Sequence, residues 1–439
     1  MKKRSRTALR AAALAGAVLL GACVGDADEL LAPVEPATGG ALFQRYVSMG
    51  NSITAGYQSG GVNDTIQLRA YPVLLANKAN ATFTSPLVRF PGCPRPFAAP
   101  LGATGRIGTA DTCVRSNAPA VIQNVAVPGE RLLDLLRFPV AGDVPRLHTL
   151  LLGERTQVRH MIDAHPTFVS VWIGNNDALE ASVGGILGPL SAGADSALTP
   201  LSKFQSQLNT LVDSIVFANP QGAMLIGVVN AIRAAPVLQP GAYFFLAASQ
   251  TGGSYQGRPV NANCSPITGA GTPNPLSANM VSFQIVTAAG FPEINCDPNA
   301  YPVGDPRRGA YLLDTSEQAI VTARVNAFNA AIKAAADARG WLYVDPNVLL
   351  EDYRGRKATN GRYTFVRKCQ DLATATTQAA LTAAVGLSCP VTGATGEPNF
   401  FGSLISFDGV HPSTSAHVIL ANSFAAAINA KYNISLPTT

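Results

Sequence analysis

The 439-residue sequence contains no G-x-S-x-G, so the strained serine turn of the α/β-hydrolase fold is missing. No phosphate-loop or dinucleotide glycine pattern stands at a strand-to-helix junction, which leaves nucleotide chemistry without a motif. C-x-x-C and H-x-x-x-H spacings are absent too. His160 and His165 are five apart with Pro166 behind them, a spacing that does not share a helical face, so neither a metal nor a cofactor is expected. There is no internal repeat. The positive charge is concentrated at the start, in Lys2, Lys3, Arg4, Arg6 and Arg10. Without those five, 27 of the 32 basic residues remain against 27 acidic ones, and the net charge of +5 falls to zero. Nothing in the rest of the chain invites nucleic acid.

What is present begins with export. Behind the basic residues, Ala11 to Leu20 is apolar but too short to span a bilayer as a helix, the pattern of a signal peptide over residues 1–22. It ends in Leu20-Gly21-Ala22-Cys23, which resembles the lipobox of bacterial lipoproteins. That resemblance implies acylation of Cys23 and a lipid anchor in the cell envelope; with no aspartate after Cys23, it implies the outer membrane or cell surface. Residues 23–40 follow as the lipidated cysteine and a tether, with Pro33, Pro36, Gly39 and Gly40 and no apolar period.

Six cysteines remain, in three sequence-neighbouring couples: Cys93 and Cys113, Cys264 and Cys296, Cys369 and Cys389. An exported chain can oxidise them, and pairing within couples is the simplest of the fifteen connectivities. Three disulfides are expected, each worth roughly 3 kcal/mol if unstrained.

From residue 41 to 435 the chain reads as one domain. Apolar runs at Tyr46–Met49, Val121–Val127, Phe168–Ile173, Ala223–Val229 and Trp341–Val344 predict strands. Helical patterns cover about Ser202–Phe217 and Ser316–Ala338, and a last one after Pro412 sets Leu420, Phe424 and Ile428 on one face. Short strands alternating with helices predict an α/β fold with a parallel sheet of roughly five strands. Three stretches break the alternation, at about 58–120, 235–312 and 354–404. Each carries one cysteine couple and reads as an insertion beside the carboxyl ends of the strands. Tyr243 to Leu246, Phe283 and Ile285, in the second, either line an acyl pocket or pack the insertion.

Four polar blocks stand where apolar runs end. Ser52, in Gly50-Asn51-Ser52, is exposed at a strand end before a helical turn, where backbone N–H groups face a developing oxyanion. Asn124 to Gly129 ends in a glycine whose backbone N–H is approachable because no Cβ blocks it. Asn176, in Gly174-Asn175-Asn176-Asp177, carries an amide able to donate without proton transfer. Asp408 stands three residues before His411, close enough to orient its imidazole, with Pro412 and Ser413 as a helix start. Each block alone is also ordinary cap or turn chemistry. Together they supply a serine, a histidine with its carboxylate and oxyanion donors, the set that acyl transfer needs.

With all four in order, the chain resembles the SGNH hydrolases, also called GDSL esterases and lipases. The resemblance implies a flavodoxin-like α/β/α sandwich and a serine esterase or lipase acting on lipid or short-chain acyl esters. Ser52 would be the nucleophile, His411 the base and Asp408 its orienting acid. Ser52, Gly129 and Asn176 would form the oxyanion hole. An acetyl-polysaccharide esterase, an acyltransferase and a non-catalytic surface lipoprotein are the alternatives. The first block departs from the family: Asn51 stands where aspartate is usual.

Overall fold

The computed structural model describes residues 39–140, 144–185, 187–188, 196–249, 259–283, 293–302, 311–353, 356 and 401–439. Signal peptide, Cys23 and most of the tether lie outside these residues, as do the Cys369 and Cys389 couple and nearly all of the third insertion.

The apolar runs form strands β1 (Tyr46–Gly50), β2 (Phe168–Trp172) and β3 (Gly222–Ile226), in which every residue is buried. Three short strands follow in the second insertion, β4 (Leu238–Pro240), β5 (Met280–Ser282) and β6 (Leu312–Leu313), paired antiparallel. The chain then returns to the first sheet as β7 (Leu342–Val344). That sheet is parallel in the order β1-β2-β3-β7, in a register that aligns Gly50, Trp172, Ile226 and Val344 at the carboxyl ends. The first and third polar blocks therefore emerge side by side at that edge.

The fold is the expected α/β class, with four strands in the parallel sheet rather than five. Val121–Val127 instead runs beside β1 through a single parallel bridge, Ser48 to Asn124. Its polar side chains explain the loss. Asn124 Nδ2 donates to the Thr54 carbonyl at 3.1 Å, and Gln123 Nε2 donates to those of Tyr46 and Thr82. Val121 is exposed, and Pro128 has no N–H to extend the ladder.

Alternate strand residues face two helical layers, which is why the strands read as unbroken apolar runs. Tyr46, Phe168, Trp172, Met224 and Ile226 pack with the helices Tyr71–Lys78 and Thr414–Tyr432. Val47, Val169, Val171 and Leu225 pack with Leu201–Ala218 and Thr315–Asp337 on the opposite face. Leu420, Phe424 and Ile428 are buried as the spacing predicts, each contributing about 1.5–3 kcal/mol. Ser413 caps that helix, its hydroxyl accepting from Ala416 N at 3.3 Å, and so fixes where the chain leaves His411.

Two of the expected disulfides are present, Cys93–Cys113 and Cys264–Cys296, each inside its insertion. Tyr243, Phe244, Leu246 and Phe283 are buried together in the core of the second insertion, with Phe244 and Phe283 ring centroids 5.1 Å apart. They pack the insertion; Ile285 lies outside the described residues.

Candidate active site

Ser52 opens the four-residue helix Ser52–Ala55 immediately after β1. Asn51 caps it: its Oδ1 accepts from Ile53 N at 3.4 Å, while its fully buried Nδ2 has no partner among the described residues. Gly50 must be glycine, because a Cβ there would lie 2.4 Å from Thr54 Oγ1 and 2.6 Å from the Trp172 carbonyl.

The chain places His411 against Ser52 from 359 residues away, with Nε2 2.8 Å from Oγ. Its Nδ1 donates to Asp408 Oδ2 at 2.9 Å. Asp408 Oδ1 accepts from the backbone N–H groups of Val410 and His411, each at 2.9 Å. Its Oδ2 also accepts from Gly60 N at 2.7 Å. Burial alone would raise this carboxyl, but His411 and the convergent N–H groups outweigh it and hold Asp408 down at about 2. The acid is therefore a fixed anion that keeps the ring's hydrogen on Nδ1 and leaves Nε2 to accept the Ser52 hydroxyl.

Gly60 belongs to the first insertion, whose opening turn supports the Asp408 loop. Ser59 N donates to Ser406 Oγ at 2.9 Å, and Phe407 N donates back to Ser59 Oγ at 3.2 Å. No pattern in the sequence singles out Gly60. Tyr57 stands beside it, its ring 4.9 Å from the imidazole.

Gly129 has φ +88°, and a Cβ would come within 2.8 Å of Val144 Cγ2. The fold therefore needs glycine at the loop that passes the site. Asn176 begins the helix Asn176–Gly184 after β2, and its Nδ2 donates to the Glu130 carbonyl at 2.8 Å, leaving a second N–H. Asp177 is buried beneath it. Its carboxylate accepts from Leu132 N at 3.0 Å and from Thr199 Oγ1 at 2.8 Å, joining the Gly129 loop to the same helix. Burial pushes Asp177 up to about 6.

Two cavities meet at this point. One, of about 110 Å³, is reached from Ser52 and walled almost entirely by apolar groups, among them Trp172, Leu179, Leu349, Leu404, Ile405 and Ile419. The other, of about 440 Å³, holds Tyr57, Phe97, Gly129, Arg131 and Glu180, with Asp408. His411 and Asn176 line both. An ester laid across Ser52 would thus find an apolar space on one side and a more polar one on the other.

The remaining histidines have other work. His417 is fully buried, its Nδ1 accepting from Tyr71 N at 3.2 Å, and burial pushes it down to about 3. His160 Nε2 donates to the Leu152 carbonyl. Among the described residues, no three of histidine, cysteine, aspartate and glutamate gather as a metal site would require. His148, unremarked in the sequence, is fully buried against Glu130.

A family model described as GDSL-like Lipase/Acylhydrolase matches residues 46–424. Among curated proteins, none matches the chain. Solved structures that it resembles include a catalytic mutant of Axe2, an acetylxylan esterase from Geobacillus stearothermophilus. That match has 12% identity over 90% of this chain and 97% of that one, with a TM-score of 0.34. LAE5, an α/β-hydrolase enzyme from the metagenome of Lake Arreo, matches at 13% identity over 88% and 97%, with a TM-score of 0.34. An extracellular lipase from Streptomyces rimosus matches at 14% over 70% and 82%, with a TM-score of 0.28.

Proposed function

The chain belongs to the GDSL-like lipase/acylhydrolase family and is by that membership an ester-bond hydrolase; we propose that it works through Ser52, His411 and Asp408 on esters with an apolar acyl group. The observation that carries this reading is the unbroken chain of hydrogen bonds from Ser52 Oγ to Asp408, opening onto an apolar cavity. Ser52 Oγ attacks the ester carbonyl as its proton passes to His411 Nε2, and the Asp408 anion stabilises the imidazolium. The N–H groups of Ser52 and Gly129 and the free N–H of Asn176 hold the oxyanion. The imidazolium then gives its proton to the departing alcohol oxygen. Water, activated by the same nitrogen, attacks the acyl-enzyme and releases the acid.

Acyl selection follows from the cavity's lining. Apolar walls beside Ser52 favour a chain over a bare acetyl group, at roughly 0.8 kcal/mol per buried methylene. Turnover of p-nitrophenyl esters should accordingly rise by on the order of 10²-fold in kcat/KM from acetate to hexanoate, which is four methylenes longer. A profile that falls from acetate onward would overturn the acyl assignment. Ser52→Ala should lose at least about 10³-fold in kcat while still folding, and unchanged turnover would end the whole reading. The N-terminal resemblance adds a proposed location, the cell envelope, by a lipid on Cys23. Mass spectrometry of the mature N-terminus tests it, and a free unmodified amine would refute it.

A further inference from the structure

Behind the proposed oxyanion site lies a second set of polar side chains that the reaction itself does not use. Glu130, His148 and Gln157 are all fully buried. Gln157 acts as a neighbouring strand would: its Oε1 accepts from Gly50 N at 2.9 Å, and its Nε2 donates to the Gly50 carbonyl at 2.7 Å. The second hydrogen of that Nε2 goes to Glu130 Oε2. Glu130 Oε1 meets His148 Nδ1, and the Glu130 carbonyl takes the Asn176 amide. Three parts of the proposed site therefore meet on one connected unit. Gly50 fixes the backbone leading to Ser52, Glu130 continues Gly129, and Asn176 hangs from Glu130's own carbonyl.

The far nitrogen of His148 sets the protonation of this unit. His148 Nε2 donates to the Arg155 carbonyl at 3.0 Å, so it already bears a hydrogen. The contact between Nδ1 and Glu130 then requires one proton, on the ring or on the carboxyl. Burial pushes Glu130 up to about 7, against the opposing pull of His148 and Gln157, and Asp134 adds to the rise. Asp134 itself stands beside Arg131 and Arg137.

We infer that Glu130, His148 and Gln157 form a positioning unit that holds the backbone at Gly50 and Gly129 and the amide of Asn176 at the geometry of the oxyanion hole. This rests on the esterase reading of Ser52. It is distinct from a merely structural role because misplacement by a fraction of an ångström costs rate without costing the fold or the affinity for substrate.

The test compares Gln157→Met with Glu130→Gln in the full chain, with active sites counted by fluorophosphonate titration. Gln157→Met keeps the volume and removes every bond to Gly50. Its kcat per titrated site should fall by about 30-fold with KM within about threefold, and affinity for a tetrahedral boronate inhibitor should fall in parallel with kcat/KM. Glu130→Gln can donate to His148 Nδ1 and accept from Gln157, so it should stay within about threefold of the parent. Should Gln157→Met fail to fold, His148→Phe loosens the same unit one bond further out and should show the same signature at about fivefold. Unchanged kcat per site in Gln157→Met, or in His148→Phe where the first does not fold, overturns the inference. So does an equal loss in Glu130→Gln, which would mean that the charge and not the geometry matters. Ser52→Ala run alongside separates the failures. If it is dead while Gln157→Met is unaffected, only the positioning role falls; if it retains turnover, the esterase reading falls and takes this inference with it.

Discussion

His411 with Asp408 and His148 with Glu130 are the same chemical pair in two settings. In the first, Nδ1 donates to a carboxylate held down at about 2, and Nε2 faces the Ser52 hydroxyl at the meeting of two cavities. In the second, Nε2 is occupied by the Arg155 carbonyl and the carboxyl is pushed up to about 7 where no solvent reaches. A histidine beside an acid is thus a base only when its far nitrogen is left unprotonated and open. Backbone groups decide which case arises. Three N–H groups converge on Asp408, whereas among the described residues the Glu130 carboxyl meets no backbone donor and shares its hydrogen bonds with His148 and Gln157.

The sharpest way to break that comparison is to make the same amide substitution in both pairs. Asp408→Asn leaves an amide whose oxygen can serve Val410 and His411 N–H groups. Its NH₂ then confronts both Gly60 N–H and His411 Nδ1–H, so the ring must turn its hydrogen to Nε2. Loss of about 10³–10⁴-fold in kcat is expected, as for removal of the tautomer-fixing acid elsewhere. Against it, Glu130→Gln is expected near the parent rate. Comparable losses in steady-state kinetics of the two variants would show that the pairs do not differ in kind.

Much of this was readable in advance, and what was not follows a physical rule. The strands at 46–49, 168–173 and 223–229 were legible because burial on both faces leaves unbroken apolar runs, and 341–344, half-buried at the sheet's edge, keeps an apolar run as well. Ser52 and Asn176 were legible because polar residues at strand ends are conspicuous against those runs, and Asp408 and His411 because their spacing stands just before a helix start. The burial of Glu130, Gln157 and Asp177 was not legible, since nothing in a single sequence distinguishes a polar side chain in solvent from one buried by distant contacts. His148 sits in the helix Val144–Leu152 with Leu147 and Leu151, on an apolar face that hides its partner. Gly60 supports Asp408 across 348 residues and carries no side chain to betray it.

The pairs should also pull stability in opposite directions with pH. Asp408 is held below its ordinary 3.8, so its contribution is present above that value and is lost as pH falls towards 2. Glu130 is raised above its ordinary 4.5, so between 4.5 and 7 the folded state binds its proton more tightly than the unfolded chain. Its contribution is complete below 4.5 and is lost as pH rises through 7. Asp177, raised to about 6, declines in the same sense. The wild-type slope therefore combines both, and the difference between wild type and Glu130→Gln isolates one. Denaturation midpoints from pH 4.5 to 8 should show Glu130→Gln gaining on the parent as pH rises. A constant offset would mean that Glu130 does not titrate in this window.

The smallest effect on rate is expected at Asn51, next to the nucleophile yet outside both pairs. Its Oδ1 caps Ile53 N and its Nδ2 meets no partner among the described residues, while the bonds from Ser52 to His411 and Asp408 bypass it. Asn51→Asp exchanges an unpartnered buried donor for a buried carboxylate with one backbone donor and no cation. Turnover at neutral pH should change by less than about threefold, because no atom of the proton path moves. Stability should respond instead, with the variant losing ground to the parent as pH rises and the new acid is forced to ionise. If kcat shifted by tenfold or more with the midpoints unchanged, a charge beside Ser52 would be tuning the His411 pair directly, and the separation of that pair from its surroundings would have to be redrawn.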